Sequence, residues 1–183
     1  MFNIILQALY FFLPAYISNA MPVLLEKFGL FKFLKIRVDF GVSYGGNPLF
    51  GETKTYRGIF GGILGGIVMI FIQVLIYFYF PDLRFLYIFP YDTGNILWLG
   101  ILLGLGEGLG DLIKSFFKRR INLKSSAPAF PLDQTSFLGA LILGYLYYPL
   151  SWQHILTIIL ISPLVPLVAN LIAYRIGWKK VWW

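Results

Sequence analysis

The sequence predicts an all-α integral membrane protein with about five transmembrane helices. Of its 183 residues, 58% are hydrophobic and only 13% are charged, whereas soluble domains average about 25% charged residues. The mean hydropathy of +0.76 agrees with this contrast. Five helices of about 20 residues, the length needed to cross a bilayer, would use most of the chain. We therefore expect one membrane-embedded domain over residues 1–183.

Apolar runs between polar or proline-containing segments give the positions of the helices. They are predicted at residues 1–25, 58–80, 95–117, 136–150 and 152–175. In the first helix we expect Pro14 to introduce a kink and Pro22 to mark the end, because proline removes a backbone hydrogen bond. In the second, Gly58, Gly62 and Gly66 recur every four residues, which lets a neighbouring helix approach closely. The fourth helix is short for a complete crossing.

The basic residues predict an orientation, since cytoplasmic loops of membrane proteins carry an excess of Lys and Arg. Of the fifteen Lys and Arg residues, all except Arg84 fall in the segments 26–57, 114–124 and 175–180. We expect the N-terminus outside, the C-terminus in the cytoplasm, and two polar loops, 26–57 and 118–135, on the cytoplasmic side. The net charge of +7 is confined to these short segments, which favours lipid headgroups or a phosphate-bearing ligand over nucleic acid.

The predicted third helix carries two acidic residues within an apolar, glycine-rich stretch. Glu107 and Asp111 are four residues apart, so they share one helix face with Ser115. Ionisable side chains are costly inside a membrane and commonly mark a polar cavity or an ion site. The structural alternative is an ion pair between Asp111 and either Lys114 or Lys118.

The two basic loops contain groups that bind phosphate. Arg57 and Thr55 lie near the start of the second helix, where free backbone N–H groups favour an anion. Asp111, Asp133 and Glu107 could supply oxygen ligands to Mg²⁺, which prefers carboxylates combined with substrate phosphates. Cations and a metal facing one cavity suit phosphoryl or nucleotidyl transfer, in which positioning and charge neutralisation supply most of the catalysis. The alternative is that the cations only anchor the loops to headgroups. Cysteine is absent, which excludes a thiolate nucleophile.

Two motifs carry a resemblance to a known family. They are Gly51-x-x-Lys54-Thr55-x-Arg57-Gly58 in the first loop and the series Gly110-Asp111, Ser115-Phe-Phe-Lys118-Arg119, Lys124 and Phe130-Pro131-x-Asp133-Gln134 further along. Together they resemble the CTP-dependent phosphatidate cytidylyltransferases, and most of all their archaeal branch, the CDP-archaeol synthases. In helix arrangement the resemblance covers nearly the whole chain.

The resemblance implies transfer of the CMP moiety of CTP to an isoprenoid glycerol-ether lipid phosphate, 2,3-bis-O-geranylgeranylglyceryl phosphate, with release of pyrophosphate. It implies Mg²⁺ as cofactor, with Asp111 and Asp133 as ligands and Glu107 as a lesser candidate. The catalytic residues would be Asp111, Asp133 and Lys118. The residues that it implies in nucleotide or phosphate binding are Gly51, Glu52, Lys54, Thr55, Arg57, Arg119 and Lys124.

The chain departs from the bacterial-type signature of this superfamily at three positions. Ser125 and Ser136 stand where that signature has carboxylates, and Gln134 stands where it has arginine. The missing carboxylates argue against a two-metal site with the same ligands. Three alternatives stay open: a CDP-diacylglycerol synthase acting on ester-linked phosphatidate, a small ion-coupled transporter using Glu107 and Asp111, and a purely structural membrane subunit.

Overall fold

A computed structural model describes residues 2–92, 95–124 and 127–178; Ser125, Lys179 and Lys180, on which expectations above rest, lie outside these ranges. The described part is a helical bundle. Its helices are α1 (Phe2–Lys27), α2 (Tyr56–Tyr79), α3 (Ile96–Arg120), α4 (Phe137–Tyr147), α5 (Trp152–Ile161) and α6 (Leu164–Arg175). The connections contain 3₁₀ turns at Lys32–Leu34, Pro81–Leu86 and Leu132–Gln134, and a hairpin of two short strands, β1 (Ser43–Tyr44) and β2 (Asn47–Pro48).

The helices confirm the predicted all-α membrane fold. Within the described residues, four segments are long and apolar enough to cross a membrane, namely α1, α2, α3 and the α5–α6 pair. Helix α4 has 11 residues and is therefore about 17 Å long, shorter than the roughly 30 Å hydrocarbon core of a bilayer. The predicted fifth helix is interrupted at Ser162 and Pro163, between α5 and α6.

Two helix ends differ from the prediction. Pro22 does not end α1, which continues to Lys27. The apolar residues after the proline extend the helix because they pack into the bundle, and Leu25 is only 2% exposed. Helix α3 continues to Arg120 instead of stopping at residue 117. The cations of 118–120 therefore form its last turn, where the helix dipole favours positive charge.

Helix α3 lies at the centre of the bundle, with neighbours at backbone distance on two sides. Towards α2, a Cβ atom added at Gly104 would lie 2.6 Å from the carbonyl oxygen of Gly62. Towards α4, a Cβ atom added at Gly106 would lie 2.5 Å from the carbonyl oxygen of Gly139. Only glycine leaves room for these approaches, in agreement with the close packing predicted for the glycine row of α2.

The two polar loops meet at one end of the bundle. Arg120 donates a hydrogen bond to the Pro48 carbonyl oxygen at 2.8 Å, and the Asn47 amide donates to Asn122 Oδ1 at 2.8 Å. The two loops predicted to share a side of the membrane therefore lie together. The first loop contains the hairpin, whose Gly45-Gly46 turn has positive φ at both positions, a conformation that favours glycine.

Asp39 organises the first loop from inside. It is 4% exposed and accepts hydrogen bonds from the backbone N–H groups of Gly41 at 3.0 Å, Phe50 at 3.1 Å and Gly51 at 3.2 Å, and from the Arg37 side chain at 3.0 Å. Burial alone would raise the pKa of Asp39, but these hydrogen bonds outweigh it and lower the pKa to about 2. The loop is therefore folded around an ionised carboxylate, which fixes the segment leading to the start of α2.

Candidate active site

An ion pair joins the first loop to the centre of the bundle. Asp111, on α3, accepts a hydrogen bond from Lys54 Nζ at 2.5 Å, and its other oxygen lies 3.0 Å from Lys114 Nζ. Lys114 is one helical turn after Asp111, a spacing at which side chains meet on a helix. Of the two structural partners considered for Asp111, Lys114 is the one observed.

Asp133 forms a second centre of charge in the loop after α3. Its Oδ1 atom lies 2.8 Å from Lys118 Nζ, and its Oδ2 atom accepts a hydrogen bond from the Ala129 N–H at 2.7 Å. Burial would raise the pKa of Asp133, but the hydrogen bonds from Lys118 and Ala129 hold it below its usual range. Lys114 Nζ also donates to the Asp133 carbonyl oxygen at 3.2 Å, so it connects the two acidic residues.

A cavity of about 600 Å³, here the first cavity, opens beside these residues between α1, α3 and α6. One part of it is strongly polar and the other is apolar. The polar part is lined by Lys54, Asp111, Lys114, Lys118, Arg119 and Asp133. The apolar part is lined by Ala20, Val23 and Leu24 of α1 and by Val165, Ala169, Ile172 and Ala173 of α6.

A second cavity of about 520 Å³ lies between α1, α2 and α3. Its charged lining consists of Glu26, Lys35, Glu52, Lys54, Arg57, Glu107 and Asp111. Arg57 is 6% exposed and forms an ion pair with Glu26, at the end of α1. Asn19, Thr53, Lys54 and Asp111 line both cavities, so the Lys54–Asp111 ion pair stands where the two cavities meet.

The remaining predicted site residues divide between the cavities and the surrounding loop. Arg119 is 6% exposed and lines the first cavity, and no described residue is a hydrogen-bond partner of its Nε atom. Thr55 caps α2 by accepting a hydrogen bond from Gly58 N at 3.3 Å, and it lines the second cavity together with Glu52. Gly51 and Lys124 line neither cavity. Gly51 instead donates its N–H to Asp39.

Several residues at these cavities were not identified from the sequence. Glu26 and Lys35 form an ion pair at 3.1 Å and line the second cavity, and Asn19 lines both cavities. A signal existed for Glu26, because it is the only acid in α1 and directly follows the apolar run of that helix. Nothing in the sequence indicates which of the many loop cations it would meet.

The two carboxylates proposed from the sequence for Mg²⁺ are of the ligand type that this ion prefers. Asp111 and Asp133 line the same cavity, and Mg²⁺ is commonly held by one or two carboxylates together with substrate phosphates. Glu107 lines the second cavity and Asp133 only the first. Accordingly, no three acidic, histidine or cysteine side chains converge on one point among the described residues.

A family model described as "CarS-like: CDP-archaeol synthase" matches residues 1–183. The chain belongs to the CDP-archaeol synthase family. The CDP-archaeol synthase of Pyrococcus horikoshii is 37% identical to it over 183 residues, covering 99% of this chain and 98% of that protein. The CDP-archaeol synthase of Thermococcus kodakarensis is 39% identical over 181 residues, covering 98% of this chain and 96% of that protein.

A solved structure of an "intramembrane enzyme for archaeal membrane lipids biosynthesis" has the same fold, with a TM-score of 0.68 and 26% sequence identity over 94% of this chain and 95% of that one. The predicted family is thereby confirmed. As a CDP-archaeol synthase family member, the chain is a membrane enzyme, a CTP-dependent cytidylyltransferase of lipid biosynthesis. Membership of this enzyme family argues against the transporter and the purely structural alternatives.

Proposed function

We propose that residues 1–183 form one membrane-embedded domain that transfers CMP from CTP to 2,3-bis-O-geranylgeranylglyceryl phosphate, giving CDP-archaeol and pyrophosphate. The observation that carries the proposal is the meeting of two cavities of different chemistry at the Lys54–Asp111 ion pair. Two such cavities can hold a lipid and a nucleotide side by side, with the reacting phosphates at the junction.

The first cavity suits the lipid phosphate. Its apolar part, between α1 and α6, can accept isoprenoid chains, and none of the α6 residues is buried by protein. Its polar part offers Lys118 and the partly unpaired guanidinium of Arg119 to an anionic headgroup. An amphipathic lipid phosphate could thus place its apolar chains and its anionic headgroup in the same cavity.

The second cavity suits the nucleotide. Its lining includes Lys35 and Arg57, together with Thr55 at the N-terminus of α2, and helix N-termini favour phosphate. Lys54 lies at the junction of the cavities and would serve the phosphates of either substrate. We assign the end of the bundle with both loops to the cytoplasmic side, from the distribution of Lys and Arg.

In the proposed reaction, an oxygen of the lipid phosphate attacks the α-phosphorus of CTP, and the bond from that phosphorus to the bridging oxygen breaks. Pyrophosphate leaves with the bonding electrons. A fully ionised phosphate needs no general base, so the tasks of the protein are alignment and neutralisation of charge. Lys54, Lys118 and Arg119 would supply positive charge. Asp111 and Asp133 would hold Mg²⁺, which supplies further neutralisation at the phosphates when bound.

The test measures pyrophosphate release by the purified full chain in detergent with CTP, Mg²⁺ and the geranylgeranylated ether-lipid phosphate. We expect release from the wild type and a loss of roughly 10²–10³-fold in Asp111→Asn, as for removal of a group that organises transition-state charge. Asp82→Asn is the matched control, because Asp82 is an exposed acid at the opposite end of α2. Undiminished release from Asp111→Asn would contradict the mechanism.

The choice of lipid needs a separate comparison, because an apolar groove accepts branched and straight chains alike. Equal amounts of the ether-lipid phosphate and an ester-linked phosphatidate should compete for limiting enzyme, and CDP-archaeol should dominate the products. Preferential formation of CDP-diacylglycerol would support the ester-lipid alternative instead.

A further inference from the structure

Glu107 has a buried carboxylate oxygen without a hydrogen-bond partner in the part of the chain that the structure describes. The residue is 4% exposed and lies on α3, one turn before Asp111, at the wall of the second cavity. The Oε1 atom of Glu107 is fully buried and has no hydrogen-bond partner among the described residues. Buried acceptors are rarely left unpaired, since each costs roughly 1–3 kcal/mol. An external donor would remove this cost.

The second cavity has a polarity gradient along the helices. Its cations Lys35 and Arg57 line the cavity together with Thr55, the residue before α2, and Lys54 lies beside Asp111. Glu107 lies about 6 Å further along α3 from Asp111, away from the loop end of the bundle. A nucleotide has the same order of groups, with anionic phosphates at one end and a base carrying hydrogen-bond donors at the other.

The inner wall of the cavity is also suited to a flat ring. Gly58 and Gly62 of α2 and Gly108 of α3 line it, so the two helices present backbone there without side chains. At Gly58 and Gly108, an added Cβ atom would find its nearest neighbours only at 3.8 Å. An added methyl group would thus be in ordinary van der Waals contact at these two glycines, whereas at Gly104 it would collide with backbone.

From this arrangement we infer that Glu107 determines the specificity for the nucleobase, with Oε1 accepting a hydrogen bond from the exocyclic amino group of cytosine. A carboxylate is a fitting acceptor for the cytosine N4 amino group. Uracil has a carbonyl oxygen at that position, and two acceptors would then face each other in a buried site. The inference rests on the proposed use of CTP and adds a reason why UTP is rejected.

The test is the equilibrium binding of CTP and UTP to the full chain in detergent with Mg²⁺ and without lipid, measured by titration calorimetry. The wild type should bind CTP more tightly than UTP. In Glu107→Gln the side-chain amide can donate to the uracil carbonyl, so the ratio of the two dissociation constants should fall by roughly 10- to 100-fold. Asp111→Asn is the comparison variant, and it should weaken both nucleotides with little change in the ratio.

Thermal unfolding establishes that each variant is folded. If Glu107→Gln is not folded, Glu107→Asp serves instead, because it keeps the charge but withdraws the carboxylate by one methylene group and should lose part of the preference for CTP. An unchanged CTP/UTP ratio in the folded variant would overturn the inference, as would a loss of Mg²⁺ affinity with no change in the ratio. Failure of the proposed lipid reaction would appear separately, as normal CTP binding without pyrophosphate release.

Discussion

The substitution Asp39→Asn should loosen the first loop locally, because Asp39 is its buried organising group. Asparagine is nearly the same size but lacks the charge, and its amide can accept hydrogen bonds through only one oxygen. The three backbone N–H groups bound by Asp39 belong to Gly41, Phe50 and Gly51. We expect these amides to lose protection against hydrogen exchange, while the helices retain theirs.

The size of the effect follows from the pKa of Asp39. Its displacement from the ordinary value of 3.8 to about 2 corresponds to about 2.4 kcal/mol in favour of the ionised form, at about 1.36 kcal/mol per pH unit. Without that contribution, exchange through local opening of the loop should accelerate by roughly 60-fold. Activity should fall as well, since the same loop leads to Lys54.

The pH dependence has a definite sign. The pKa of Asp39 is depressed in the folded loop, so its stabilisation is complete above pH 3.8 and is lost as the pH falls through about 2. Wild-type protection of the three amides, corrected for intrinsic exchange, should decline over that range, and Asp39→Asn should lack the decline. Unchanged exchange at Gly41, Phe50 and Gly51 in the variant would refute the reasoning. Asp82→Asn, which changes an exposed acid outside this loop, provides the control.

Further predictions concern helix packing, ion pairing and the metal. Gly104→Ala should destabilise the protein by about 1–3 kcal/mol through overpacking against Gly62, whereas Gly108→Ala should have little effect on thermal unfolding; equal effects would contradict the packing described for α3. Glu26→Gln should cost about 1–3 kcal/mol because it leaves the buried Arg57 guanidinium without its carboxylate. In a double-mutant cycle with Arg57→Met, zero coupling would mean that this ion pair contributes nothing. Removal of divalent cations by EDTA should abolish pyrophosphate release and added Mg²⁺ should restore it; full activity in EDTA would exclude the proposed metal.

The fold was largely predictable because it follows from apolar run length, which the bilayer imposes on any spanning helix. The location of Asp111 on the third helix was also predictable, since an acidic residue within an apolar segment is conspicuous. Helix ends were less predictable. Pro22 was expected to stop α1, but the packing of Leu25 extends the helix, and packing of that kind depends on tertiary neighbours.

The partners of the charged residues could not be predicted from the sequence. Lys114 meets Asp111 within one helix, and its spacing gave a usable signal. Arg57 instead forms an ion pair with Glu26, which is 31 positions away in the chain. Asp39 accepts hydrogen bonds from backbone amides up to 12 positions away. Such pairings are decided by how helices and loops fold against one another, and no local pattern encodes them.

The double glycine contact of α3 restricts which parts of the enzyme can move during a catalytic cycle. Rotation or sliding of α3 would drive its backbone against α2 on one side and α4 on the other, because neither contact has side chains that could adjust. We therefore expect Asp111 to keep its position in the bundle. Binding and release of two large substrates would then depend on displacement of α6, in which no side chain is buried, and of the loop that carries Lys54. The reaction centre would act as the fixed part of the enzyme, and the substrate entrances as its moving parts.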